Sequence, residues 1–554
     1  MIRARVMISG DPISQAHGAE TLRLILEAEL ARYGLEDEVQ VGFIGQIGRR
    51  DVLPFAVVYP EGTLYGPLRP EDVPFLVEEH LYKGRIAESL LAPPDVLSGA
   101  IARLPRREGV LYGQQRVVLA RAGIIDPNSI EEYIAHDGYF ALARAVTEMT
   151  PEQVLRAVKD SGLQGRGGAG FPTGTKWQFV ASQPAPQRYI VCNADESEPG
   201  TFKDRLILEG DPHAVLEGMA LAGYAVGAHE GWIYIRGEYG LAKQRVEKAV
   251  EQAEEMGLLG DKLFDSGFSF HIHVHAGAGA YVCGEETALL ESLEGKRGIP
   301  RIRPPYPTVR GYHGMPTVVN NVETLANVPA IIHRGVEWYR TLGTPKSPGT
   351  KVYTMLGDVN ITGLIEVPMG ITLREVVEVY GGGMRDGLTF KCAQTGGAAG
   401  SIIAPDLLDV PMDYATMQQH GAALGSGALL VCGNDKCIVD LAYVLMRFFA
   451  SESCGKCVPC RLGTRRMLEI LGRLRDGQGT AEDLDALATI APQVIATSFC
   501  GLGQGAPVSI ITALRHFRSE FEAHVAGTCP AGVCPMGGPE PAAEPSHAYL
   551  AFAD

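Results

Sequence analysis

The first 191 residues of this 554-residue chain contain no cysteine. No uninterrupted apolar run reaches the ~18 residues that a membrane-spanning helix needs, so no span is expected. The N-terminus carries Arg3 and Arg5 within a short apolar stretch. It lacks the long apolar core and the small-residue cleavage site of a secretory signal, and it reads as a first β-strand. Positive charge is also short. Lys and Arg number 49 against 65 Asp and Glu, for a net charge of −16. A field of that sign attracts neither nucleic acid nor anionic lipid, which excludes both as principal partners. Hydrophobic residues make up 46% and charged residues 21%, which excludes global disorder. The length suggests about three or four domains.

Glycine is abundant, at 67 residues. That is about 12% against a usual ~7%, so tight bends or close approach to a ligand are expected. All eleven cysteines lie between Cys192 and Cys534. In a long chain without a secretory signal they argue for metal or redox chemistry over a disulfide scaffold. Cys454, Cys457 and Cys460 form a C-x-x-C-x-x-C triplet. That spacing fits three corners of a [4Fe–4S] cube better than a structural zinc site, which more often shows two separated C-x-x-C pairs. Cys500 is the best candidate for the fourth corner, because helix-like patterns at Arg465 to Arg475 and Ala481 to Thr489 could fold it back. Cys192 and Cys283 read as small buried hydrophobes. Cys529 and Cys534 form a C-x4-C pair in a Pro-rich tail without two further ligands nearby, and no metal is assigned to them.

Four further segments carry chemistry. Gly165-Arg-Gly-Gly-Ala-Gly170-Phe-Pro-Thr-Gly174 matches G-x-G-x-x-G, a weak signal alone. No apolar strand precedes it, and Pro172 argues against an immediate long helix. The run still suits a phosphate-bearing ligand, with Arg166 and Lys176 supplying charge. A strand through Cys192 runs into Asn193, Asp195, Glu196 and Glu198. Ligand groups gather at such strand ends, although alone this stretch would read as a solvated acidic loop. Gly284 to Glu291 reads as a loop opening a helix, a ready anion site. Upstream, His271, His273 and His275 alternate, and a polar strand face explains them better than a metal. Asn320 and Asn321 offer paired amides at another strand end, suited to a planar ring with mixed donors and acceptors.

From about Gly138 to His524 these motifs, in this order, resemble the flavin-bearing, NADH-oxidising subunit of respiratory complex I. Within that family the resemblance is closest to the diaphorase subunits of soluble NAD-dependent formate dehydrogenases and NAD-linked hydrogenases. The resemblance implies FMN, NAD(H) and a [4Fe–4S] cluster. It assigns Gly165, Arg166, Gly167, Lys176, Asn193, Asp195, Gly284, Glu285, Asn320, Asn321 and Thr324 to FMN. Gly168, Phe171, Phe179 and Glu198 fall to NADH, with the two aromatic rings on the adenine and Glu198 at the adenosine ribose. Glu196, Tyr281 and Glu286 would stand at the edge between the two. Cys454, Cys457, Cys460 and Cys500 would hold the cluster. NADH gives two electrons at once and a cluster takes one at a time. A flavin connects the two, so positioning residues matter more than a general base.

The expected fold is α/β and multidomain. Residues 1–105 resemble the thioredoxin-like [2Fe–2S] ferredoxin domain, but without any cysteine they read as a scaffold that docks a partner. Residues 106–137 form a linker and lead-in, with Arg103 to Gln115 charged. Residues 138–338 would be a Rossmann-like FMN/NADH domain and 339–430 a β-grasp domain of the SLBB type. Residues 431–525 would be a helical [4Fe–4S] bundle and 526–554 a flexible tail without further clusters. The expected setting is a cytoplasmic hetero-oligomer with a small [2Fe–2S] subunit and a large metal-containing subunit. That large subunit would oxidise formate or, as alternatives, belong to a hydrogenase or membrane complex I. A scaffold subunit with a degenerate site is disfavoured by the intact motifs.

Overall fold

The computed structural model describes residues 2–93 and 114–538. In the N-terminal unit, β1 (Ala4–Ser9) pairs parallel with β2 (Val39–Ile44) and antiparallel with β3 (Ala56–Tyr59). Strand β4 (Thr63–Tyr65) closes the sheet in the order β2-β1-β3-β4. Helix α1 (Ala19–Tyr33) makes the parallel crossover. Its Leu22, Leu26 and Leu30 recur every four residues, which keeps one face on the sheet, and they are buried with Val6 and Ile8. A helical run from Pro70 to Tyr82 follows.

The ends of β1 and β2 face the chain's own middle unit. A β-carbon on Gly45 would come within 2.8 Å of the Gly210 Cα, so only glycine lets the two backbones meet. The Gly10 carbonyl accepts a 3.0 Å hydrogen bond from Arg245. Of the charged linker, only Gln114 and Gln115 lie within the described residues. The lead-in is anchored where the Val117, Val118 and Leu119 N–H groups donate to the buried Glu366 carboxylate at 2.8–3.0 Å.

The middle unit contains α2 (Pro151–Asp160), α3 (Thr173–Ala181), α4 (Lys203–Gly210), α5 (Pro212–Val226), α6 (Gly240–Glu255), α7 (Glu286–Leu293) and α8 (Val322–Arg334). They surround a parallel sheet of β5 (Tyr189–Ala194), β6 (Glu230–Ile235), β7 (His271–Ala276) and β8 (Thr317–Asn321), ordered β7-β6-β5-β8. Ile190, Val191, Ile233 and Val318 are fully buried, as a parallel sheet covered on both faces requires. The strand order reverses between β5 and β8, and a crevice opens at that point. On the edge strand β7, the rings of His273 and His275 pack on Trp232 and Tyr234 at 4.6 and 5.4 Å.

The third sheet is mixed. It joins β9 (Thr350–Gly357), β10 (Gly363–Pro368), β11 (Phe390–Thr395), β12 (Ile402–Ile403) and β13 (Ala428–Gly433) in the order β10-β9-β13-β11-β12. The expected boundary at residue 430 therefore cuts through β13, because its apolar run continues to Cys432. The C-terminal unit is built on four long helices: α9 (Ile438–Glu452), α10 (Val458–Arg475), α11 (Ala481–Thr497) and α12 (Val508–Val525). The tail was expected to be flexible from residue 526. Up to residue 538 it packs back on the bundle, with Met536 N–H bonded to the Arg475 carbonyl at 3.4 Å.

Candidate active site and cluster pocket

The crevice at the β5/β8 switch point is a cleft of roughly 1480 Å³. Its floor is the end of β5 and β8, with Asn193, Asn320, Asn321 and Thr324. One wall is the glycine loop (Gly165, Gly167, Gly168) with Phe171, Lys176 and Phe179. The other is Gly284, Glu285 and Glu286. Phe171 and Phe179 are 45% and 47% exposed at the mouth of the cleft, which leaves their faces open to a ring-bearing ligand.

Local chemistry explains the loop. Gln164 and Pro172 form a bridge that closes it, with Gly165 N–H bonded to the Phe171 carbonyl at 2.8 Å. Gly170 takes φ +65 with its α-carbon against the Tyr414 ring, where a β-carbon would come within 2.7 Å. Pro172 was expected to delay the following helix and does not. It is the N-cap of α3, a place where a missing N–H costs nothing.

Lys176 Nζ donates to the Val319 carbonyl at 3.0 Å and pairs with Glu286 at 3.1 Å. Asn193 Nδ2 donates to the Gly284 carbonyl at 2.9 Å, and Asn320 Oδ1 accepts from the Trp177 indole at 2.8 Å. Glu285 caps α7, accepting from Thr287 and Ala288 N–H at 3.0 Å each.

Five expected residues do not line the cleft. The Arg166 guanidinium, expected to supply charge to a phosphate, is fully buried and donates to the carbonyls of Gln164, Pro348 and Thr350. It braces the loop from behind, and the Arg166 backbone N–H is held by Thr324 Oγ1 at 2.8 Å. Glu196 accepts from the Asp204 and Arg205 N–H groups at 3.0 Å each, capping the start of α4. Glu198 accepts from Tyr281 and from Ala399 N–H at 2.7 and 3.0 Å. The Tyr281 ring packs on Phe448 and Phe449 of α9. Asp195 sits beneath Gly284, and neither of its carboxylate oxygens finds a hydrogen-bond partner among the described residues. Burial pushes the carboxyls of Asp195, Glu196 and Glu198 each up to about 7.

The sequence reading missed a charge network under the floor. Lys203 Nζ lies 2.6 Å from Asp204 and 3.0 Å from Glu323, all three nearly or fully buried. Asn321 Nδ2 donates to Asp204 at 2.6 Å. Lys351 Nζ donates to the Arg166 carbonyl at 3.2 Å, and it stands 3.9 Å from Glu323. Lys203 lies five residues after Glu198 and Glu323 two after Asn321, whereas Lys351 lies on strand β9, far from either segment.

A second pocket is lined by Cys454, Cys457, Cys460 and Cys500. Cys457 caps α10, Cys460 lies in its first turn, and Cys500 returns after α11. All four are free thiols. Gly501, the residue after Cys500, lines the flavin-sized cleft.

The donors fit the expected groups. Unpartnered buried acceptors at Asp195 suit a ligand bearing N–H or O–H groups. Four convergent thiols suit an iron–sulfur cube. A crevice at a switch point beside a four-cysteine pocket fits the flavin- and cluster-bearing class that the sequence resembles.

Comparison with known proteins agrees. Residues 158–330 match the Nuo51 FMN-binding domain, and residues 440–524 match the NADH-ubiquinone oxidoreductase-F iron-sulfur binding region. The NADP-reducing hydrogenase subunit HndC of Solidesulfovibrio fructosivorans is 51% identical over 422 residues, 76% of this chain and 86% of that one. The F 2 subunit of the NADH-quinone oxidoreductase of Rhizobium meliloti is 48% identical over 409 residues, 74% of this chain and 97% of that one. A crystal structure of an NAD+-reducing [NiFe]-hydrogenase in the H2-reduced state aligns with TM-score 0.65 and 33% identity, covering 94% of this chain and 84% of that one. The chain belongs to the family of flavin-bearing, NADH-oxidising subunits that occur in complex I and hydrogenase-type modules. FMN and a [4Fe–4S] cluster are its cofactors.

Proposed function

We propose that the chain is the NAD(H) end of a multisubunit redox complex, exchanging electrons between NAD(H) and a metal-containing partner subunit. FMN, when bound, supplies the exchange between two-electron and one-electron chemistry. One observation carries the reading. Cys500 and Gly501 are consecutive, yet Cys500 lines the cluster pocket and Gly501 lines the cleft. A single turn of backbone thus joins the two sites.

Within this reading the protein's own groups orient and exclude. Phe171 and Phe179 at the mouth cover the adenine. Lys176, Asn193, Asn320 and Asn321 hold the flavin's polar edges, and Asp195 and Glu285 accept its hydrogen bonds. Gly168 lets the nucleotide approach the loop backbone. Glu198, held behind the cleft by Tyr281 and Ala399 N–H, is the group this reading sets toward the adenosine ribose, while Glu286 lines the wall and Glu196 and Tyr281 support it from behind. The N-terminal unit, of thioredoxin-like design, braces the flavin unit through Gly45 and Gly10. Residues 339–433 bridge flavin and bundle as a β-grasp unit.

A hydrogenase-type assembly is supported by the structural alignment with an NAD+-reducing hydrogenase chain, which extends over 94% of this chain, and by the 51% identity to a hydrogenase subunit. The cysteine-free N-terminal unit supports formate as the second reading of the partner's substrate. A small [2Fe–2S] subunit is the expected neighbour in either case. Elemental analysis of the complex, purified anaerobically from its source, decides. Nickel with iron supports the hydrogenase reading. Molybdenum or tungsten, with formate-driven NAD reduction, transfers it to formate. Iron alone in a membrane-extracted assembly overturns both.

A further inference from the structure

The pair Cys529 and Cys534, given no metal from the sequence, is completed by the fold. Cys437 immediately precedes α9 and His524 lies in the last turn of α12. The ligand atoms of Cys437, His524, Cys529 and Cys534 all lie within 4.8 Å of one another. His524 Nε2 is 3.4 Å from the sulfurs of both Cys437 and Cys534, which are 3.5 Å apart. Three of these residues lie outside the segment matched as the iron–sulfur region.

We propose that these four side chains bind a single Zn²⁺ ion, in a site separate from the cluster pocket. The spacing sets the nuclearity. Zinc–sulfur bonds of about 2.3 Å in a tetrahedron place sulfurs about 3.8 Å apart. An iron–sulfur cluster spreads its ligands over several irons, and so further than these four stand. Three thiolates with one imidazole are a structural zinc set, and no open position remains for catalysis.

The surroundings orient the ligands. His524 Nδ1 donates to the Glu520 carbonyl at 2.7 Å, which leaves Nε2 as the lone pair facing the sulfurs. Such an outer bond is the usual partner of a metal-bound histidine. The Glu520 carboxylate is itself held by Lys391 at 2.6 Å and by Ile438 N–H at 3.2 Å. Cys437 and His524 are almost fully buried. On binding, the three thiols release their protons to solvent and no electron moves.

The ion clamps the chain after α12 to the start of α9. The other end of α9, about 22 Å away, leads directly into Cys454. The clamp thus fixes the start of the helix whose far end leads into Cys454.

The test uses the full chain, purified anaerobically with FMN and iron bound. Zinc and iron are counted per flavin, and zinc-edge X-ray absorption is recorded. The expected result is about one zinc per chain, with three sulfurs at about 2.3 Å and one nitrogen at about 2.0 Å. In Cys529→Ser/Cys534→Ser, zinc falls at least about tenfold while FMN and iron stay level. Hydrogen exchange then rises at the start of α9. If the variant does not fold, the wild-type absorption spectrum decides alone. Wild-type chain with full iron and FMN but no zinc overturns the proposal. So does iron in the site, a Cys437–Cys534 disulfide, or zinc that survives in a folded variant.

Discussion

Glu198 accepts a 2.7 Å hydrogen bond from the Tyr281 hydroxyl, although 83 residues separate them. Burial pushes the Glu198 carboxyl up to about 7, and the Tyr281 bond opposes that rise. An ionised carboxylate at the adenosine ribose repels a 2′-phosphate, and a neutral one does not. The preference for NADH over NADPH in kcat/KM is therefore expected to grow as pH rises through 7. Tyr281→Phe shifts that rise to higher pH. Glu198→Gln flattens it and raises kcat/KM for NADPH at least tenfold, about 1.4 kcal/mol. Steady-state kinetics with both nucleotides across pH checks this. A flat NADPH rate in Glu198→Gln removes Glu198 from the ribose.

Lys203 and Glu323 form the buried pair under the cleft floor. Burial pushes the Glu323 carboxyl up, but the charges of Lys203, Lys351 and Arg166 outweigh it and hold it below the usual range. A carboxyl lowered by folding adds stability above its unfolded value, and that stability is lost as pH falls through the folded one. Glu323→Gln leaves the buried Lys203 ammonium with less compensation, beside Lys351, which burial already pushes down to about 7. The expected cost is about 3–5 kcal/mol at neutral pH, with a flatter acid limb in denaturant titrations across pH. An unchanged acid limb would place the acid sensitivity elsewhere.

Asp195 behaves with the opposite sign. Its folded value, about 7, lies above the usual carboxylate range. Burying it costs nothing at low pH, and the cost grows as pH rises from the unfolded value toward 7. In flavin-stripped protein, Asp195→Asn should add on the order of 2 kcal/mol at pH 8 and little near pH 4. The same change should weaken FMN binding, because a carboxylate acceptor is lost from the site. Thermal unfolding and FMN fluorescence titration read the two effects. Gain of stability with unchanged FMN affinity would detach Asp195 from the flavin.

Much of this was written locally. Helix α1 is set by its own residues, because leucines every four positions and the closing Gly34 act within one element. The C-x-x-C-x-x-C spacing and the strand-end asparagines are equally local. What escaped depends on distance along the chain. Arg166 looked like a phosphate ligand because its loop is glycine-rich, but carbonyls at Pro348 and Thr350, nearly 200 residues away, claim its side chain. Cys529 and Cys534 looked short of ligands because Cys437 lies 92 residues before Cys529. Pro172 misled in another way. A proline breaks a helix interior and starts one equally well, and only the register of α3 tells which.

Cys500 separates the two halves of the reaction. Its side chain belongs to the cluster pocket, while the cleft is lined by its neighbour Gly501 and by residues of the middle unit. Cys500→Ala removes one of four thiols, and a cube held by the remaining three loses iron readily. Nothing in the change touches Lys176, Asn193 or the glycine loop. The variant should keep FMN and still be bleached by NADH at close to the wild-type rate. Iron should fall well below about four per chain, and electron delivery to a one-electron acceptor that docks at the cluster should drop by at least about tenfold. Stopped-flow absorbance gives the first quantity and iron analysis the second. If bleaching by NADH is lost along with the iron while FMN stays bound, then the cluster pocket shapes the cleft itself, and the two sites cannot be treated as separable.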